Sequence, residues 1–321
     1  MKKALFFVFT IFITSCKEQK TKFRYLPDSN AKINHLTVVM PQKSWAGALG
    51  KKTRELLESP YEGLPFDEPQ FTLKYLPPKA FTGFARNSRN ILWFVKDTLA
   101  RFQLLEDLVA QPQIVAKLSG EEDEVQAYFF EENINLFKAV LTEKEREEKI
   151  RRIKKSPSKD RNLQRRFNIS LVYPTAYKTV KDTTNFVWIQ KDIANGHMNF
   201  VVYSLPLSGL RGNVKKRIPE IRDSIGKIYI PGRLKGSYMI TEKAYRPYFY
   251  KINKEGRLTY LTKGTWEVSN DFMAGPFVNY SIKDTLRKRW IVIEGFVFAP
   301  ASSKRDQMFE ISTILDTVVF E

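Results

Sequence analysis

Short apolar runs that end at a proline or at a charged residue recur along the chain and predict β-strands. In "LTVVMP" the residues are β-branched or aliphatic and a proline closes the run, which is typical of a strand and its end. Similar runs lie in both halves of the chain, so strands are expected throughout. The predicted strands cover residues 36–41, 91–97, 113–119, 169–174, 186–192, 199–205 and 290–300.

Apolar residues three or four positions apart predict three helices. The first follows Ser119, a predicted N-cap with Glu122 three positions later, as in a capping box. The second covers 213–227 despite Pro219, and the third covers 303–318. The residues predicted to face the core are Val125, Phe129, Leu136 and Val140 in the first helix, and Met308, Ile311, Leu315 and Val318 in the last.

Two pairs of strand-like runs resemble each other and predict an internal duplication. "LTVVMP" (36–41) matches "ISLVYP" (169–174), and "ILWFVKD" (91–97) matches "FVWIQKD" (186–192) with Trp, Lys and Asp at the same offsets. Chance similarity is the alternative. If the repeat is real, the first copy carries an insertion between its two runs.

The order of these elements predicts an α+β fold with antiparallel sheets backed by helices. Residues 238–283 predict a meander of short strands with a hairpin at "NKEG" (253–256), and a strand and a helix close the chain. The predicted domains are a signal peptide (1–15), a lipidated N-terminus and tether (16–34), a first α+β module (35–148), a basic linker or helix end (149–166), and a second related module with the C-terminal strands and helix (167–321).

The N-terminus has the pattern of a secretory signal. Lys2 and Lys3 precede an apolar stretch that is too short to span a membrane, and small residues follow it. The string "ITSC" resembles the lipobox of bacterial lipoprotein signal peptides, which implies lipidation at Cys16. The chain is therefore predicted to lie in the cell envelope, attached through its acyl chains to the inner or the outer membrane.

Composition agrees with an exported, disulfide-free protein. Cys16 is the single cysteine of 321 residues, so the mature chain has no disulfide and must rely on its apolar core. The formal charge is +18, and loss of Lys2 and Lys3 with the signal leaves +16. This charge would ordinarily indicate nucleic acid, but export argues against it. Phospholipid, lipopolysaccharide phosphates, cell-wall polymers or an envelope protein are the expected partners.

Few residue types that carry catalysis are present. Two histidines and one lipidated cysteine do not make a zinc site, and there is no G-x-S-x-G serine motif. No catalytic residue, metal or cofactor is therefore assigned. Asp67 and Glu68 could act as acid and base in a glycosidase-like cleft, although a solvated turn is the simpler interpretation.

The basic segment 149–166 has nine lysines and arginines against Asp160 alone. One interpretation is a solvated helix end and linker, with Glu145, Glu147 and Glu148 supporting an exposed helix through pairs four residues apart. The other is contact with an anion. The residues assigned to this contact are Arg151, Arg152, Lys154, Lys155, Lys159, Arg161, Arg165 and Arg166.

Glycine, proline and aromatic residues come together in "GTWEV" (264–268) and "DFMAGPFVNY" (271–280). Loops of this composition could bind a ligand, and a turn that packs onto a sheet is the alternative.

The lipobox, "ILWFVKD", "TWEV…AGPFVNY" and "VIEGFVFAP…KRDQMFEISTIL" together resemble an uncharacterised domain-of-unknown-function family of Bacteroidota lipoproteins. The resemblance implies an envelope location and no activity. Three hypotheses follow: a non-catalytic envelope lipoprotein that binds a partner or has a structural role, a receptor for an anionic envelope molecule through 149–166, and a hydrolase that uses carboxylates alone.

Overall fold

The computed structural model describes residues 25–321, which form two modules, each with its own sheet. Cys16 and the predicted signal lie outside the described residues. The elements of the first module are the strands β1 (His35–Val39), β2 (Thr72–Leu76), β3 (Asn90–Lys96), β4 (Arg101–Glu106) and β5 (Ile114–Gly120), and the helices α1 (Gln42–Ala46), α2 (Ala48–Leu57) and α3 (Asp123–Ile153).

The first sheet is mostly parallel. Its order is β2-β1-β3-β5-β4; only β4 runs antiparallel, against β5. The central strands are buried on both faces, which is usual for parallel strands. The sequence predicted an antiparallel sheet for this module, and that prediction is wrong for β1, β2, β3 and β5. Helices α1 and α2 return the chain to the starting edge of the sheet between β1 and β2, so these two strands run parallel.

The second module is larger and almost entirely antiparallel. Its helices are α4 (Asn162–Phe167), α5 (Val214–Tyr229) and α6 (Arg305–Asp316). Its strands are β6 (Ile169–Ser170), β7 (Lys178–Thr183), β8 (Phe186–Ile193), β9 (Gly196–Pro206), β10 (Met239–Thr241), β11 (Tyr248–Lys254), β12 (Arg257–Val268), β13 (Ala274–Asp284), β14 (Arg289–Phe298) and β15 (Val319–Phe320).

The main sheet of this module has a helix on each face. Its strand order is β10-β12-β13-β14-β9-β8-β7, β11 also pairs with β12, and β6 pairs with β15 apart from it. Residues of β14 alternate between the faces: Val292 and Phe296 face α5, whereas Ile291 and Ile293 face α6. The predicted α+β class, the hairpin at 253–256 and both C-terminal helices are confirmed.

The predicted duplication is not reflected in the topology. In the first module β1 and β3 are parallel neighbours in one sheet. The runs that match them form β6, which pairs only with β15, and β8, which pairs antiparallel with β7 and β9. The matched runs therefore do not occupy equivalent positions, because a shared apolar pattern specifies a strand but not its neighbours.

The beginning and the core-facing side of α3 also differ from the prediction. Ser119 lies in β5 and donates its hydroxyl to Leu99 O, so the helix starts after Glu122. Phe130, Phe137 and Leu141 are fully buried, whereas Leu136 is 53% exposed. The residues that pack against the sheet are therefore each one position later in the sequence than the predicted Phe129, Leu136 and Val140.

The last residues of the predicted tether 16–34 are part of the folded chain. Asp28 and Asn30 form bridges with Gln111 and Ser88, so residues 28–34 belong to the first module. Arg89 donates to Ala31 O (3.1 Å) and to Lys32 O (2.8 Å) and pairs with fully buried Glu145.

Within residues 25–321, no helix combines the length and the apolar character that crossing a bilayer requires.

Candidate binding pocket

An apolar pocket opens on the α5 face of the second sheet, beyond the C-terminal end of α5. There the helix gives way to residues 230–239, which line the pocket together with residues of the strands. The cavity has a volume of about 220 Å³. We call it the aromatic pocket; its large apolar lining residues are Trp188, Ile230, Met239, Trp266, Val268, Met273, Phe296 and Phe298.

Gly275 is what lets these aromatic rings meet. It is the register partner of Trp266 on β13, and a Cβ there would lie 2.0 Å from Val297 O and 3.1 Å from Trp266 Nε1. Because the glycine has no side chain, the indole of Trp266 reaches over β13 to β14. Its ring centroid lies 5.8 Å from that of Phe296 and 6.3 Å from that of Phe298.

Two indole N–H groups lie among these apolar side chains and differ in their bonding. Trp188 Nε1 donates to Asn199 Oδ1 at 2.9 Å. Trp266 Nε1 is buried and has no acceptor in the described part of the chain. Buried polar groups nearly always have a partner, so this donor marks a place where an oxygen of a bound molecule would be favourable.

Polar residues surround the mouth of the pocket. His197 Nδ1 lies 3.0 Å from Asp192 Oδ1, and hydrogen bonds from His197 and Gln190 lower the pKa of the Asp192 carboxyl. On the other side Arg233 forms two hydrogen bonds with Asp271, of 2.7 and 3.1 Å, which lower the pKa of that carboxyl. The second pair joins segment 230–239 to the turn between β12 and β13.

The lining of this pocket suits an apolar group. The floor is aromatic, and the ionisable groups at the mouth are already paired with each other. Among residues 25–321, no three His, Cys, Asp or Glu side chains converge to hold a metal ion.

Three residues of this pocket come from the two Gly-, Pro- and aromatic-rich segments of the sequence. The segments 264–268 and 271–280 contribute Trp266, Val268 and Met273, although most of both segments is strand rather than loop. Trp188, Asn199 and Phe296 were not identified, because each lies in an ordinary strand pattern and becomes a pocket residue only through strand order.

The basic segment 149–166 is partly neutralised. Glu148 pairs with Arg151 (2.6 Å) and Arg152 (2.7 Å), and Arg166 pairs with Asp182 (3.0 Å). Burial would raise the pKa of Glu148, but hydrogen bonds from the two arginines outweigh it and lower that pKa. Within the described chain, five of the predicted anion contacts have no carboxylate within 4.0 Å: Lys154, Lys155, Lys159, Arg161 and Arg165.

The predicted exposed helix before this segment is only partly correct. Glu148 pairs with Arg152 four residues later, as predicted, but Glu145 is buried and pairs with Arg89 rather than Lys149. Lys149 instead pairs with Glu310 of α6 at 2.8 Å, which joins the two modules.

Asp67 and Glu68 do not form an acid and base pair in a cleft. Asp67 is exposed. The carboxylate of Glu68 accepts hydrogen bonds from Lys304 N (2.7 Å) and Arg305 N (2.9 Å) at the start of α6. Glu68 therefore acts as a cap supplied by the first module to a helix of the second.

Comparisons with known proteins identify domain families without a known activity. The family "Domain of unknown function (DUF4837)" matches residues 156–317, and "Domain of unknown function (DUF8532)" matches residues 29–154. No curated protein matches the chain.

Solved structures similar to part of the chain include two small proteins. Cyanobacterial PsbP (CyanoP) from Synechocystis sp. PCC 6803 has 11% identity and a TM-score of 0.32, over 48% of this chain and 87% of that one. The Saccharomyces cerevisiae Ran-binding protein Mog1p has 9% identity and a TM-score of 0.31, over 47% of this chain and 89% of that one.

Proposed function

The chain belongs to the DUF4837 family of domains of unknown function, and we propose that it is a non-catalytic binding module of the cell envelope, anchored by lipid at Cys16. In this proposal the aromatic pocket holds an apolar group of a partner. The observation that carries it is the pocket itself, where one of the eight large apolar side chains, Trp266, has an indole N–H without an acceptor in residues 25–321.

The size of the pocket favours an anchor group of a larger partner over a complete small ligand. Its volume of about 220 Å³ is below the roughly 300–1,000 Å³ of typical ligand pockets. Burying one large apolar side chain contributes about 1.5–3 kcal/mol, which is too little for stable binding by itself. The remaining affinity would come from contacts around the mouth.

Apolar side chains at the mouth support a partner of this kind. Phe272 is fully exposed beside the Arg233–Asp271 pair, and Leu234 is 55% exposed on the facing segment. A central apolar pocket surrounded by further contacts is the usual arrangement of a protein-binding hot spot.

The pocket can be tested with an apolar fluorescent probe. Met273 is half-buried at the pocket, so Met273→Trp should fill it, whereas Leu286→Trp places the same residue at an exposed position of the β13–β14 turn as a matched control. Anilinonaphthalene sulfonate should bind saturably to the wild type and to the control, and N-acetyltryptophanamide should displace it. Equal binding by Met273→Trp would contradict the assignment.

The lipid anchor has its own test. Cys16→Ser should leave the folded modules intact, because no other sulfur pairs with Cys16 and the variant changes none of residues 25–321. The protein should move to the soluble fraction or stay as an uncleaved precursor, and it should lose label from a radioactive fatty acid. A wild-type protein that takes up no label and fractionates with soluble proteins would refute the anchor.

A second candidate function is binding of an anionic envelope molecule through the basic segment. Its support is the group of five cations there with no carboxylate within 4.0 Å among the residues that the structure describes. Each such residue near an anionic bilayer contributes about 1 kcal/mol. Lys154→Glu with Lys155→Glu should abolish binding to anionic vesicles, and binding by the wild type should weaken steeply with salt. Reversal of Lys215 and Lys216, on α5, is the control. Vesicle binding that is unaffected by reversal at 154 and 155 excludes this function.

The carboxylate-only hydrolase is not proposed, because both oxygens of Glu68 already bind the start of α6.

A further inference from the structure

A second cavity lies between the two modules, and none of its lining residues lines the aromatic pocket. One wall is the segment 59–71, between α2 and β2. The others come from α3 and from the second module. We call it the intermodule cleft. Its volume is about 460 Å³, and its lining residues are Asn34, Ser59, Pro60, Tyr61, Glu62, Gln70, Phe71, Thr142, Arg146, Lys263 and Phe309.

The segment that forms the wall is held firmly against the second module. Glu62 accepts hydrogen bonds from Tyr250 Oη (3.0 Å) and Lys263 Nζ (3.1 Å). Glu68 binds the first amides of α6, and Tyr61 packs against the core of the second module. The cleft is therefore already formed without a ligand, which reduces the entropy lost on binding.

Two lining residues carry buried nitrogen atoms without partners. Asn34 is only 2% exposed, and its side-chain Nδ2 has no acceptor in the described structure. Arg146 uses Nη1 against Asp316 Oδ2 (3.0 Å), while its Nε has no acceptor. Gln70 lines the cleft and is half-buried, and its side chain makes no hydrogen bond within residues 25–321. Because buried polar groups are almost always paired, the buried nitrogens of Asn34 and Arg146 point to a ligand rich in oxygen acceptors.

The charges around the cleft leave a small positive excess. Glu62 is neutralised by Lys263. Asp316 pairs with both Arg146 and Lys254, so Glu62 and Asp316 together face three cations, of which Arg146 and Lys263 line the cleft. A guanidinium pairs well with a carboxylate, because its N–H groups match the two oxygens. The excess suits a ligand with a single negative charge.

We propose that the intermodule cleft binds an acidic sugar, with its carboxylate towards Arg146 and Lys263 and its hydroxyls on the side-chain amides. Amides and hydroxyls both donate and accept hydrogen bonds, so Asn34 and Gln70 can satisfy sugar hydroxyls in either sense. The half-buried ring of Tyr61 offers an apolar surface to a pyranose ring. The volume lies within the range of ligand pockets and accommodates more than one sugar ring.

The test compares D-glucuronate with D-glucose, which differ only in the carboxylate. The full chain should bind glucuronate saturably in the millimolar range by ligand-observed NMR, and at least tenfold more tightly than glucose. Thr142 lines the cleft, so Thr142→Trp should abolish this binding. Glu143→Trp adds the same side chain at an exposed position of α3 and should leave it unchanged.

Gln70→Ala is a second variant, and it breaks no side-chain hydrogen bond within the described chain. It should lower the affinity for glucuronate several-fold and leave the thermal unfolding temperature unchanged. Binding of glucose as tight as that of glucuronate would overturn the assignment of an acidic ligand. Undiminished glucuronate binding by a folded Thr142→Trp variant, or no saturable binding by the wild type, would overturn the site.

Discussion

Glu68→Ala tests one of the contacts that join the two modules. Helix α6 has no side-chain cap of its own: its N-cap is Lys304, and no side chain of α6 accepts from its first amides. Glu68 supplies that acceptor from the other module, at 2.7 Å from Lys304 N and 2.9 Å from Arg305 N, and it also accepts the hydroxyl of Ser303. The substitution removes all of these bonds together.

The expected cost follows from two known contributions. Loss of an N-cap acceptor costs about 1 kcal/mol, with a range of roughly 0.5–2. A carboxylate at a helix N-terminus contributes about 0.3–1 kcal/mol more through the helix dipole. Glu68→Ala should therefore lower the free energy of unfolding by about 1–3 kcal/mol. Glu68→Gln keeps an acceptor and loses the charge, so its cost should be smaller.

Urea unfolding measures the total effect, and amide hydrogen exchange locates it. The unfolding midpoint should fall without a change in slope, and the amides of Lys304 and Arg305 should exchange faster. The matched control is Asp67→Ala, which removes the adjacent exposed carboxylate and should have little effect. If Glu68→Ala and Asp67→Ala give the same midpoint and the same exchange rates, the capping role is wrong.

Two further predictions concern ion pairs. Burial alone would raise the pKa of Glu310, but Lys149 and Lys191 outweigh it and lower that pKa below its usual 4.5. The ionised Glu310 carboxylate therefore stabilises the folded state above about pH 4.5, and this contribution is lost as the pH falls through the folded pKa. Glu310→Gln should make the free energy of unfolding depend less on pH on the acid side. An unchanged dependence on pH would refute this. Arg222 and Glu294 are both buried and lie 2.6 Å apart, so they should be strongly coupled in a double-mutant cycle measured by urea unfolding. Glu294→Leu alone should lower the free energy of unfolding by about 3–5 kcal/mol. The double variant Arg222→Met with Glu294→Leu should lose less than the sum of the two single variants. Additive costs would contradict the coupling.

The sequence predicts those elements that depend on residues close together along the chain. In α6 the apolar residues Met308, Ile311 and Leu315 repeat on one face and are all buried in the structure. The hairpin at 253–256 is also encoded locally, because "NKEG" supplies the residues that a tight turn needs. Such features depend only on residues within a turn or two of each other.

The core-facing side of α3 was decided by tertiary packing. The helix has apolar residues on more than one side, and Leu136 and Val125 remain exposed while Phe130 and Phe137 pack onto the first sheet. Glu145 belongs to an apparently solvated charged stretch, yet it is buried against Arg89, 56 residues earlier in the chain. No local pattern distinguishes it from Glu147, which is exposed.

The order of the strands and the docking of the two modules could likewise not be predicted from the sequence pattern. Period-two alternation determines that Trp188, Trp266 and Phe296 lie in strands, but only the order β12-β13-β14-β9-β8 brings them to one pocket. The segment 59–71 looks like a solvated acidic turn until the second module is docked against it, where Glu62 and Glu68 become its contacts. Alternation and turn chemistry are properties of neighbouring residues, whereas pockets and interfaces arise from pairing residues far apart, and the burial of the whole core decides which pairings form.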